Sequence, residues 1–225
     1  DHFQYLASLG LLTLGAATLT NGLQSLGSEA QFHQRVIVTS ALLLILLGVL
    51  TWRNCAKYEN LDTLWTDTVQ KNPTSQIAHN SLGALRSDQG RIREALPLLE
   101  RAIQIDPEYA EAYNNLAIVY GQLGLLEKAY QSVQKAIELQ PGYAKAHFNL
   151  AIWFYRQGQL EESQATLLQA IEFDPEFLQA YNRLGLIFLE QGKRSEAILN
   201  FRQALKLNPN NEQARINLSR AMLLP

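Results

Sequence analysis

Four segments of this chain align at a spacing of 34 residues: Gln76–Tyr109, Ala110–Tyr143, Ala144–Phe177 and Leu178–Asn211. Six columns stay in register. Column 7 holds Leu82, Leu116, Leu150 and Leu184, and column 8 holds Gly83, Ala117, Ala151 and Gly185. Column 15 is Gly90, Gly124, Gly158 and Gly192. Column 20 is Ala95, Ala129, Ser163 and Ala197, and column 27 is Ala102, Ala136, Ala170 and Ala204. Pro107, Pro141, Pro175 and Pro209 fill column 32. Small residues at columns 8, 20 and 27 let two antiparallel helices approach closely. A glycine at column 15 can end the first helix, and a proline at column 32 stops the second. No such unit buries its apolar face alone, so the units must stack.

A 34-residue period with these residues resembles the tetratricopeptide repeat (TPR) family. The resemblance runs from Glu59 to Leu224 and implies a right-handed superhelical solenoid that binds a peptide or protein in its concave groove. Residues 59–75 read as a degenerate half-repeat closed by Pro73, and 212–225 as a C-terminal cap helix.

The groove is expected to be lined by the first helix of each unit. Column 5 holds Asn80, Asn114, Phe148 and Asn182; column 6 holds Ser81, Asn115, Asn149 and Arg183, with Asn217 in the cap. Column 9 holds Ala84, Ile118, Ile152 and Leu186. An asparagine offers both a donor and an acceptor, so a ladder of them can bond the amides of an extended peptide. The other reading is that Asn only tolerates a solvated helix face and that the apolar strip packs neighbouring helices. The expected binding residues are Asn80, Asn114, Asn115, Ile118, Asn149, Ile152, Asn182 and Leu186. TPR domains that clamp the carboxylate of heat-shock chaperones use Lys and Arg at columns 5 and 9. No such clamp is expected here. The ladder resembles instead the TPR arm of O-linked N-acetylglucosamine transferases at Asn115, Asn149 and Asn217, while Ser81 and Arg183 depart from it.

Ahead of the repeats, residues 1–58 read as a membrane anchor. Tyr5–Leu23 and Val36–Trp52 are uncharged stretches of 19 and 17 residues, within the ~17–25 that a spanning helix requires. A buried hairpin is the alternative. The expected fold is therefore all-α, two transmembrane helices followed by the solenoid, with membrane lipid as a partner through those helices. Arg35 against Arg53 and Lys57 faintly favours a cytoplasmic solenoid. The pieces DHFQYLASLG, WRN, LW, NP and AHNSLG resemble the C-terminal part of transmembrane TPR proteins, including the TPR-bearing O-mannosyltransferases. That resemblance implies the opposite side, periplasm or lumen, and an integral membrane protein. It also implies a second function, the acceptor-recognition arm of a lipid-linked-sugar glycosyltransferase whose catalytic part is not in this chain. Opening on Asp1 rather than methionine, the chain is expected to be part of a longer one.

The chemistry-bearing residues are sparse. A formal net charge of −2 gives no basic excess for nucleic acid. One cysteine, Cys55, excludes an internal disulfide and a cysteine metal cluster. His79 and His147 share column 4 with Tyr113 and Tyr181, as packing rings rather than metal ligands. No catalytic residue, metal or cofactor is expected, and whether the longer protein is an enzyme stays open.

Overall fold

The computed structural model of the chain describes residues 38–49, 51 and 60–223. All the regular structure among them is helical. Residues 38–49 and 51 are helical and are labelled α1, and α2 covers Leu61–Lys71. Four pairs follow: α3 (Gln76–Asp88) with α4 (Ile92–Ile105), α5 (Ala110–Gln122) with α6 (Leu126–Leu139), α7 (Ala144–Arg156) with α8 (Leu160–Phe173), and α9 (Leu178–Glu190) with α10 (Arg194–Leu207). Helix α11 (Glu212–Leu223) closes the array. The chain divides into two units, residues 1–64 and 65–225; the second holds the four pairs.

The two-span anchor is corrected by these helices. No helix among the described residues is long and apolar enough to cross a membrane. A spanning helix needs about 20 apolar residues in one run, and no described helix supplies that. The first stretch, Tyr5–Leu23, lies outside the described residues, as does the connection Ser25–Arg35. The fold is an all-helical solenoid without a supported transmembrane pair. The integral-membrane placement, the lipid contact and the extracytoplasmic side inferred with them are withdrawn.

The turns follow from the constant spacing of the columns. Gly90, Gly124, Gly158 and Gly192 sit just past the first helices at φ of 74°, 74°, 75° and 73°, where a Cβ would be strained. The second helices end ahead of their prolines. Asp106, Asp174 and Asn208 are extended, at φ of −133°, −137° and −142°, because the proline ring that follows disfavours helical geometry. Their side chains then cap the turn: Oδ1 of Asp106 accepts from the amide of Glu108, that of Asp174 from Glu176, and that of Asn208 from Asn210, each at 3.0 Å.

Within each pair, column 8 of the first helix meets column 24 of the second. A small residue meets a large one in each pair: Gly83 faces Leu99 and Gly185 faces Phe201, while Ala117 clusters with Val133 and Ala151 with Leu167. Leu99, Leu167 and Phe201 are fully buried, each burial contributing about 1.5–3 kcal/mol. Column 20 tolerates Ser163 because its hydroxyl donates to the Ala151 carbonyl at 2.8 Å. A Cβ on Gly185 would lie 2.5 Å from the Phe201 ring, an approach the packed ring cannot yield to. Gly185→Ala is therefore expected to destabilise by about 1–3 kcal/mol. Adding Phe201→Leu, which recreates the Ala151–Leu167 combination, should recover part of that loss. Thermal unfolding of the single and double variants checks it; a double variant no better than Gly185→Ala would refute the size complementarity.

Candidate functional site

First helices of successive pairs pack on one another, α3 on α5, α5 on α7 and α9 on α11, and second helices make no comparably extensive contact among themselves within the described residues. The first helices thus form the inner face of the array. Columns 5, 6, 9 and 13 supply its side chains.

The asparagines of columns 5 and 6 are joined to one another across the repeats. Asn115 donates through Nδ2 to Oδ1 of Asn80 at 2.8 Å, Asn149 to Asn114 at 2.8 Å, and Asn217 to Asn182 at 2.9 Å. Each bond links column 5 of one unit to column 6 of the next. Asn80 and Asn114 are only 2% exposed, so their amides serve the joint. Asn80 also donates to the Tyr109 hydroxyl at 3.3 Å, which in turn donates to the Glu111 carboxylate at 3.2 Å. Truncating a partner in such a buried pair strands a polar group, which costs about 1–3 kcal/mol. Asn115 and Asn149 are half-exposed. Each spends one N–H on the joint, and its own Oδ1 accepts no hydrogen bond among the described residues. The series breaks once: Phe148 and Arg183 hold the positions of the next pair. Phe148 packs against Phe177 at 5.0 Å between ring centroids, and Arg183 lies over the Tyr155 ring at 5.6 Å.

Beside Asn149 the inner face opens into a half-open cavity of about 190 Å³ between α5, α6 and α7. Its apolar wall includes Ala117, Ile118, Val133, Ile152 and Trp153; Gln122, Asn149 and Arg156 bring the polar atoms. Trp153 is fixed in place. Its indole N–H donates to the Leu126 carbonyl at 3.1 Å, and its ring stacks on Tyr130 at 4.3 Å. Arg156 reaches across the joint, where Nη1 donates to the Gly121 carbonyl at 3.3 Å, and it forms no ion pair among the described residues.

The structure thus brings Ile118, Asn149 and Ile152 together in one cavity. Asn115 lies one turn from Ile118 on α5. Asn182 and Leu186 lie on α9, past the break; Leu186 packs toward the Phe201 cluster. The two repeat histidines are packing rings. His79 Nδ1 lies 2.9 Å from the Ser75 carbonyl, while His147 Nε2 lies 2.8 Å from the Pro141 carbonyl and its ring 5.1 Å from that of Phe173.

Family models for the tetratricopeptide repeat match residues 83–124, 108–176 and 178–211. The chain carries tetratricopeptide repeats. The array is similar in fold to a thermophilic TPR protein of Thermus thermophilus, with a TM-score of 0.68 and 24% identity over 79% of this chain and 96% of that one. It is similar to MamA, with a TM-score of 0.55 and 24% identity over 70% of this chain and 92% of that one. Pseudomonas aeruginosa pilF matches at a TM-score of 0.61 and 27% identity, over 65% of this chain and 67% of that one. No curated protein matches the sequence. These matches do not bear on the resemblance to transmembrane O-mannosyltransferases.

Gln122 and Arg156 hold column 13, a groove-facing column of the tetratricopeptide array, whereas Trp153 stands outside the columns expected to line the groove. The signal for Trp153 is its own column: it occupies column 10, where Leu85, Val119 and Ile187 stand in the other repeats. At the end of the second repeat, burial pushes the Tyr143 hydroxyl up to about 12, helped by the charge of Glu111 and by Tyr109. The unfolded chain releases this proton near pH 10, so its contribution to stability is complete below pH 10 and is lost as pH rises toward 12. The melting temperature of Tyr143→Phe should accordingly fall less steeply than that of the parent between pH 10 and 12. Parallel slopes in a pH series of thermal melts would show that this hydroxyl is not desolvated.

Proposed function

We propose that the array is a protein-interaction module that binds an extended polypeptide segment along its inner face, anchored by one side chain in the cavity beside Asn149. The observation that carries this reading is the cavity itself. Its roughly 190 Å³ is below the ~300–1,000 Å³ of small-molecule sites and suits a single apolar side chain. Next to it stand Asn115 and Asn149, with acceptor oxygens turned to neither repeat neighbour. A hydrogen bond to such an acceptor contributes only about 0.5–1.5 kcal/mol net. The apolar anchor therefore supplies most of the affinity, as buried anchors do at other interfaces, and the asparagines align the backbone.

The test uses the full chain and peptides selected on it from a random dodecapeptide library. Ile152→Asp places a charge in the cavity wall and should weaken the selected peptides at least tenfold. Leu168→Asp, at a site 47% exposed on the second helix α8, should leave affinity within about twofold. Thermal melts of both variants establish that each is folded. Loss of binding with Leu168→Asp but not with Ile152→Asp would move the site to the outer face and overturn the proposal.

A further inference from the structure

We propose that the segment taken up by this groove carries an apolar side chain one or two residues from an aspartate or glutamate, the first filling the cavity and the carboxylate pairing with Arg156. This rests on the inner-face reading above and names the chemistry of its partner.

Three groups around the cavity set that chemistry. The wall made by Ile118, Ile152 and Trp153 accepts an apolar side chain and offers a charged one no partner. Asn149 commits one N–H to Asn114 at 2.8 Å, which leaves its Oδ1 and a second N–H for the backbone N–H and C=O of the incoming segment. Arg156 presents only donors. Its guanidinium has five N–H donors, and the single hydrogen bond it makes among the described residues uses one of them on the Gly121 carbonyl. That bond holds the group at the edge of the cavity without neutralising it. The neighbouring acid in column 13, Glu190, is engaged by the Tyr155 hydroxyl. A cation held in place, with no ion-pair partner among the described residues, is complementary to an acidic side chain and suited to bidentate pairing.

The spacing follows from helix and strand geometry. Arg156 is four residues beyond Ile152 on α7, about 6 Å along the helix at 1.5 Å per residue. An extended segment covers that distance in about two residues at ~3.3 Å each. An apolar residue seated over Ile152 therefore brings the carboxylate of a near neighbour to Arg156. A lysine or arginine in that place would meet like charge.

The experiment selects peptides on the full chain from a random dodecapeptide library and measures their affinities by fluorescence polarisation. The selected set should share an apolar residue with Asp or Glu one or two positions away. Replacing that acid by Asn or Gln should weaken binding about tenfold to the parent protein but less than twofold to Arg156→Gln. Arg156→Lys should keep part of the preference, and the preference should shrink as salt rises. Thermal melts confirm that the variants are folded. Peptides that lose affinity with Ile152→Asp yet show no acidic preference, or an acidic preference that survives Arg156→Gln, would overturn this inference and leave the inner-face site standing. A library that yields no binding peptide would overturn both.

Discussion

The array depends on one close approach inside each repeat, where column 8 of the first helix meets column 24 of the second. A glycine stands there when the opposing side chain is Leu99 or Phe201, and an alanine when it is Val133 or Leu167. In every pair a small residue meets a large one, which lets the two helices approach closely. The regular spacing of the repeats matters beyond the core. With equal units, column 5 of one repeat arrives at the same place relative to column 6 of the next, and three asparagine pairs close at 2.8–2.9 Å. The core sets the rise of the solenoid and the asparagines lock it.

Where this pattern is interrupted, the inner face changes character. The pair that would join the third and fourth repeats is Phe148 with Arg183, and an aromatic contact to Phe177 replaces the amide bond. The cavity lies just before the interruption, where Trp153 departs from an aliphatic column and Arg156 stands at the edge. A solenoid of identical repeats would present a uniform groove. On the proposed reading, these few departures supply an apolar anchor point with a cation at its edge. Holding those side chains in place before binding also lowers the cost of ordering them on association.

Much of this was legible in the sequence because the columns express constraints that act locally. A glycine with positive φ, a proline that ends a helix and a small residue at a crossing each leave a mark at a fixed position. The asparagines were harder to read. In one sequence Asn80 and Asn114 look like polar residues on a solvated face, yet both are buried because their partners sit 35 residues away, one more than the period. That offset was visible, but only as a relation between two columns. The cavity left a fainter mark still, since its lining is drawn from three helices and no single column encodes it. The stretch Val36–Trp52 misled for a different reason: its composition suits a bilayer, yet no helix among the described residues is long and apolar enough to cross one.

The central claim, that the inner face takes up a polypeptide at the cavity, is tested most directly by isoleucine methyl resonances of the full chain during titration with a selected peptide. The account predicts the largest shifts at Ile118 and Ile152, which line the cavity, with little change at Ile171 and Ile198 on the second helices. Shifts centred on Ile171 and Ile198, with Ile118 and Ile152 unmoved, would contradict it.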